Sequence, residues 1–71
     1  MDRVIYENIE NMRIAEGISQ RCICQELGIS IKTYHNWIKG DTAIPSFALI
    51  KLANKFNVSI DYLLEIKKRA L

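Results

Sequence analysis

Residues 19–40 read SQRCICQELGISIKTYHNWIKG, a pattern typical of two short helices joined by a tight turn. Ser19 and Ser30 each follow an isoleucine and precede a large apolar residue four positions later. This spacing predicts a serine N-cap, whose hydroxyl accepts a backbone N–H, and a hydrophobic staple across the first turn. Gly28 and Gly40 stand where the two helices should end, because glycine readily adopts the left-handed conformation that closes a helix.

The same signals extend the helical pattern over the rest of the chain. Ser59 follows Val58 and repeats the cap and staple, and Gly17 stands at the end of an earlier apolar stripe. No run alternates apolar and polar residues as a strand would. The predicted fold is therefore all-α, with five helices at about 3–16, 19–27, 30–39, 46–56 and 59–66.

Length and composition are those of one small globular domain. The chain has 71 residues, of which 49% are hydrophobic and 25% are charged, so neither two domains nor extensive disorder is expected. We place the domain at residues 1–66 and a basic tail at residues 67–71. No apolar run approaches the roughly 20 residues of a membrane span, and no secretion signal is apparent, so we expect a cytoplasmic protein.

Few residues of this chain are of the types that most often bind metals or take part in catalysis. Cys22 and Cys24 would point in divergent directions on a helix, and His35 is the only histidine, so a four-ligand metal site is not expected. No glycine-rich phosphate loop, nucleophile motif or paired carboxylates are recognisable. We therefore expect a protein that is not an enzyme and that works without a metal or cofactor.

The third helix divides into two unlike faces when its side chains are placed at 100° per residue. Thr33, Tyr34, Trp37 and Ile38 share a largely apolar arc, and packing against the core is the expected role of the two rings. The opposite arc has no carboxylate, and it consists of Lys32, His35, Asn36 and Lys39, with Ile31 at its edge. Residues 30–55 hold four lysines and one aspartate, so a polyanion would be attracted to this region.

Short motifs spread over nearly the whole chain carry a further resemblance. They are Gly17-Ile18-Ser19-Gln20, Ile23-Cys24, Leu27-Gly28-Ile29-Ser30, Thr33, Trp37, Gly40, Pro45-Ser46, Leu52-Ala53 and Val58-Ser59-Ile60-Asp61-Tyr62-Leu63-Leu64. Together they resemble the Cro/repressor-type (XRE-type) helix-turn-helix family of bacterial, phage and mobile-element transcription regulators. The resemblance implies a compact five-helix bundle of the lambda-repressor-like type, with the helix-turn-helix at about residues 20–39. It also implies sequence-specific binding of double-stranded DNA, with the recognition helix 30–39 in the major groove.

The resemblance further implies which side chains contact DNA. Gln20 matches the residue that anchors the second helix on a phosphate, and Lys39 matches a phosphate contact at the end of the recognition helix. The positions that contact bases or the adjacent backbone are occupied by Ile31, Lys32, Thr33, His35 and Asn36. Lysine suits phosphates or guanine acceptors, and asparagine suits the paired donor and acceptor of adenine.

Two positions depart from the family pattern. Many members have a glutamate where Ile38 stands, often paired with an arginine at the position of Arg13. That ion pair cannot form here, which leaves Arg13 for a phosphate or for another carboxylate. Pro45 falls one residue later than usual, so the connection at residues 41–44 is expected to differ in shape.

The expected working form is a homodimer on two DNA half-sites about one helical turn apart. Its predicted surface is helix five and the tail, where Tyr62, Ile66 and Leu71 would otherwise be exposed. The alternative is a protein-interaction module on the same scaffold, such as an antitoxin-like or inhibitor domain. The small net charge of +2 and the apolar residues Ile31 and Ile38 on helix three are compatible with this alternative.

Overall fold

The computed structural model describes residues 4–66, which form five α-helices connected by short turns. The helices are α1 (Glu7–Ala15), α2 (Gln20–Leu27), α3 (Ile31–Lys39), α4 (Ser46–Phe56) and α5 (Ile60–Leu64). This part of the chain contains no strand, and none of its helices has the length and apolar character needed to cross a membrane. The predicted all-α, five-helix fold is confirmed, while the predicted tail at residues 67–71 lies outside the described residues.

Three helices begin with the predicted serine caps. The hydroxyls of Ser19, Ser30 and Ser59 accept hydrogen bonds of 3.0, 3.1 and 3.0 Å from the backbone N–H three residues later. The aliphatic residue before each serine is partly buried against the core, as a hydrophobic staple requires. Gly28 and Gly40 close α2 and α3 with φ values of 71° and 81°. The local signals therefore place the helix-turn-helix correctly.

Helix α1 begins later than the sequence predicts. The expected start is near residue 3, whereas α1 begins at Glu7. The N–H groups of Ile5 and Tyr6 donate to the carbonyl oxygen of Ile38 at 2.9 and 3.1 Å. That carbonyl lies in the last turn of α3, where it has no partner within its own helix. The segment before α1 is therefore held against the end of α3, and Tyr6 has a non-helical backbone with φ of −91° and ψ of 68°.

Helix α5 ends earlier than expected, at Leu64 and not at Ile66. The buried side chain of Asn8 donates from Nδ2 to the carbonyl oxygen of Tyr62 at 2.8 Å and to Glu65 Oε1 at 3.2 Å. In a longer helix, the Tyr62 carbonyl would accept the N–H of residue 66. Instead, this carbonyl accepts the Glu65 N–H at 3.3 Å as well as the Asn8 amide, and Glu65 takes an extended conformation with a ψ of 126°. Helix α5 therefore ends at Leu64, and its last turn is fastened to α1.

The core lies where the five helices converge. Helix α1 packs on α3 and α5, α2 packs on α3, and α4 packs on α5. Cys24 is a free cysteine that is buried among apolar side chains. The buried apolar residues are Ile9, Ile23, Cys24, Leu27, Tyr34, Trp37, Ile38, Ala48, Leu52, Phe56 and Leu63.

A cluster centred on the Glu10 carboxylate links α1 to α3. Arg13 donates from Nε to Glu10 Oε2 at 3.0 Å and from Nη2 to Oε1 at 2.8 Å. The hydroxyl of Tyr34 donates to Glu10 Oε2, and Arg13 Nη1 donates to the carbonyl oxygen of Ile18 at 2.7 Å. Arg13 therefore pairs with another carboxylate, which is one of the two possibilities left by the absence of a glutamate at position 38.

The protonation states in this cluster follow from its contacts. Burial by itself would raise the pKa of Glu10, but hydrogen bonds from Arg13 and Tyr34 outweigh burial and hold this pKa below its ordinary value. Burial and the neighbouring Glu10 raise the pKa of the Tyr34 hydroxyl. The hydrogen bond to Glu10 raises the pKa of Arg13. At neutral pH the carboxylate is ionised, the guanidinium is charged and the tyrosine keeps its proton.

The two capping glycines allow a matched stability experiment. Both have positive φ, so replacement by alanine should cost about 1–2 kcal/mol at either position. A Cβ at Gly28 meets no atom within 4 Å, whereas a Cβ at Gly40 would overlap the side chain of Ile5. We expect Gly40→Ala to lower the free energy of unfolding by about 1 kcal/mol more than Gly28→Ala, measured by urea denaturation. Ile5→Val in the Gly40→Ala background should remove this extra cost, and equal losses for the two glycine variants would contradict the overlap.

The Glu10 cluster predicts a specific acid sensitivity. Because the folded-state pKa of Glu10 is lowered, its stabilising contribution is present above the unfolded-state value and is lost as pH falls through the folded-state value. Glu10→Gln should cost about 1–3 kcal/mol of unfolding free energy at pH 7, and this difference from wild type should shrink below about pH 4.5. The control is Glu16→Gln, at an exposed carboxylate beyond the end of α1. A Glu10→Gln cost that stays constant between pH 7 and pH 3 would contradict the prediction.

Candidate nucleic-acid interface

Helix α3 is oriented by its buried face. Tyr34, Trp37 and Ile38 are at most 5% exposed. The Trp37 ring also meets Phe47 edge to face, with centroids 6.5 Å apart and planes at 77°. The prediction that the two rings of α3 pack in the core is confirmed, so they are not available to stack on bases.

The opposite face of α3 points to solvent. Ile31 and Lys32 are exposed, while His35 and Asn36 are partly exposed. The helix itself contains no aspartate or glutamate. Because side chains advance by 100° per residue, burial of the aromatic arc directs the carboxylate-free arc away from the bundle.

The two ends of α3 hold further candidate residues. Thr33 lies in the first turn, where its hydroxyl oxygen accepts a 3.0 Å hydrogen bond from Ser30. Lys39, in the last turn, has its ammonium 3.4 Å from a carboxylate oxygen of the exposed Asp41. The backbone carbonyl of Asn36 accepts the Asp41 N–H at 2.9 Å. These contacts anchor the ends of α3. The Asn36 side chain forms no hydrogen bond with any residue between 4 and 66.

The structure brings Gln20, the first residue of α2, against His35 of α3. His35 Nε2 lies 2.9 Å from Gln20 Oε1. Gln20 Nε2 in turn donates to Glu10 Oε1 at 3.4 Å. A predicted phosphate contact and a predicted base contact therefore form one hydrogen-bonded pair, which reaches back to the Glu10 cluster.

All seven candidate DNA contacts are at least partly exposed, and none is turned into the core. They are Gln20, Ile31, Lys32, Thr33, His35, Asn36 and Lys39.

Sequence reasoning overlooked Glu10, which joins the core to this surface. Its spacing of three residues from Arg13 could have indicated the ion pair. Nothing in the local sequence indicates its contacts with Gln20 and Tyr34, which are 10 and 24 positions away.

A metal centre is not indicated at this surface. Within residues 4–66, no three His, Cys, Asp or Glu side chains are close enough together to hold a metal ion. Cys22 is exposed on α2, and its Sγ lies 3.9 Å from a Glu26 carboxylate oxygen. The surface can therefore offer ammonium, amide, imidazole and hydroxyl groups, which are the donors and acceptors that DNA backbones and base edges match.

Comparison with known proteins gives two matches to the sequence. A helix-turn-helix family matches residues 9–63, which include all five helices except the first two residues of α1 and the last residue of α5. The chain is also similar to the repressor protein CI of Enterobacteria phage phi80, with 38% identity over 60 residues. That match covers 84% of this chain and 25% of the phage protein, so the chain spans about a quarter of its relative's length. No solved structure gives a significant match.

The match over residues 9–63 includes both helices of the turn motif and the packing partners of α3. The similarity to a phage repressor also covers most of the chain. The chain therefore belongs to the XRE-type helix-turn-helix family.

Proposed function

We propose that this chain binds specific double-stranded DNA sites as the DNA-binding part of a repressor-like transcription regulator. The observation that carries the proposal is the solvent-facing side of α3, which presents Lys32 and Asn36 and has no carboxylate. The similarity to a phage repressor supports the regulatory role. The chain would act in the cytoplasm by binding alone, without a catalytic step or a cofactor.

In this proposal α3 enters the major groove, and its outer side chains contact base edges. Asn36 would bind adenine through its amide, which has no hydrogen-bond partner among the described residues, and Lys32 would bind guanine acceptors or a phosphate. The other contacts to bases or to the nearby backbone would come from Ile31, Thr33 and His35. Ile31 can meet a thymine methyl group, since it is apolar and exposed at the start of the helix.

Phosphate contacts would hold the helix in register. Gln20 uses one amide hydrogen toward Glu10, and its second hydrogen can be donated to a phosphate oxygen. Lys39 lies near Asp41, but an ion pair with such an exposed carboxylate contributes little. In the proposed complex, the Lys39 ammonium would donate to a phosphate oxygen.

One copy of so small a domain would cover a limited stretch of DNA, with a footprint on the order of 600–1,000 Å². We therefore propose a homodimer that binds two half-sites about one helical turn apart. Its contact surface would include α5, where Tyr62 is exposed, and the following Ile66, which is also exposed. Leu71, the third residue predicted at this surface, lies outside the described residues.

The second candidate is a protein-interaction module on the same scaffold. Phe47 and Ile50 favour it, since both are large apolar side chains exposed on α4. Ile38 gives this candidate no support, because only 3% of the residue is exposed. Titration with random-sequence duplex at low salt separates the two candidates, since a DNA-binding domain should shift the duplex and a pure protein-interaction module should not.

A pair of substitutions on α3 should separate base contacts from phosphate contacts. The preferred duplex is first selected from a random DNA pool, and affinities for this duplex and for random duplex are then measured at several salt concentrations. Asn36→Ala should lose about 1–3 kcal/mol on the selected duplex and much less on random duplex, because a bidentate base contact is removed. Lys39→Ala should weaken both duplexes alike and reduce the slope of log affinity against log salt by about one.

Either of two results would contradict these assignments. An Asn36→Ala variant that loses equal affinity for selected and random duplex would not have lost a base contact. A wild-type affinity that does not change with salt would contradict the phosphate contacts, because binding to the backbone releases counterions.

A further inference from the structure

The Glu10 carboxylate constrains the side chains around it because it can only accept hydrogen bonds when ionised. It receives hydrogen bonds from Arg13, Tyr34 and Gln20. These donors come from three helices, and two of them are on elements that bear the candidate DNA contacts. Glu10 therefore influences the orientation of side chains on α2 and α3 as well as on its own helix, α1.

The first consequence is the orientation of the Gln20 amide. Its NH₂ group faces Glu10 Oε1 at 3.4 Å, and its oxygen faces His35. The flipped amide would place its oxygen against an ionised carboxylate, where both groups are acceptors. The charge of Glu10 therefore keeps Gln20 Oε1 directed at the imidazole.

The second consequence is the position of the proton on His35. Since Gln20 Oε1 is an acceptor, the His35 Nε2 atom at 2.9 Å must carry the hydrogen that is donated to it. In the neutral ring, the other nitrogen, Nδ1, is then an unprotonated acceptor. Nδ1 hydrogen-bonds to no residue in the described range, and the side chain is partly exposed.

We propose that Glu10, acting through Gln20, orients His35 so that its Nδ1 accepts a hydrogen bond from the exocyclic amino group of a cytosine or an adenine. Those amino groups are the donors that bases offer in the major groove. The proposal rests on the proposed function, because it requires α3 to lie in that groove. Glu10 is a positioning residue here, since it does not contact the DNA and acts on His35 only through Gln20.

The first test needs no DNA. The ring nitrogens of His35 are observed by ¹⁵N NMR at pH 8, where an ordinary histidine is neutral. Wild type should carry the proton on Nε2. Glu10→Gln should move it toward Nδ1, because a neutral carboxamide can donate to Gln20 and let the Gln20 amide turn round. Identical ring-nitrogen signals in wild type, Glu10→Gln and Gln20→Met would overturn the proposal.

The second test measures base preference at pH 8 on the selected duplex. His35→Ala identifies the base pair at which discrimination is lost, which we expect to be about three- to tenfold for a single hydrogen bond. Glu10→Gln and Gln20→Met should lose discrimination at that same base pair. Gln25→Met is the matched control, since it makes the same exchange at an exposed position of α2 and should keep the wild-type preference.

The double variant Glu10→Gln/His35→Ala separates positioning from a merely structural role. If Glu10 acts through His35, the double variant should discriminate at this base pair no worse than His35→Ala alone. Independent losses, or a uniform loss at all base pairs in Glu10→Gln, would overturn the proposal. Gln20→Met keeps Glu10, Arg13 and Tyr34 in place, so it provides the same test if Glu10→Gln does not fold.

The two tests also distinguish this proposal from the function on which it rests. If the wild-type chain binds no duplex even at low salt, the proposed function is wrong and the base contact of His35 is wrong with it. The NMR comparison would then still show whether Glu10 fixes the imidazole. If duplex binds but His35→Ala changes no base preference, the proposed function stands and only this inference is wrong.

Discussion

Burial of Tyr34, Trp37 and Ile38 determines which side chains α3 presents at the surface of the molecule. These three side chains fill one arc of α3 and leave the helix almost no freedom to rotate about its axis. A helix places successive side chains 100° apart, so fixing one arc also fixes the other. The amide and ammonium groups of α3 face solvent because the aromatic rings cannot.

The polar interior is organised in a different way from the pattern expected of the family. Ile38 is apolar and buried, so the arginine at position 13 finds its carboxylate within α1, at Glu10. The same carboxylate receives Tyr34 from α3 and Gln20 from α2. An ionised group in this position is stable because it accepts several hydrogen bonds. The result is a direct chain of contacts from the core to the outer face of α3.

Much of the fold could be predicted from single residues acting on their neighbours. Ser19, Ser30 and Ser59 begin helices where expected, and Gly28 and Gly40 end them. The ends of α1 and α5 could not be predicted in this way. The segment before α1 bonds to a carbonyl of α3, and the end of α5 bonds to the Asn8 side chain, so both boundaries lie at contacts between residues distant in sequence.

The sequence by itself determined the five helices, the turn between α2 and α3, the family and the set of exposed candidate side chains. Caps, staples and amphipathic arcs act over three or four residues, and such spacings are visible in the order of the amino acids. Only the tertiary structure decided that Gln20 contacts His35 and that Glu10 in turn contacts Gln20. Side chains 10 to 24 positions apart become neighbours only when the helices pack, since no local rule relates their directions before the chain has folded.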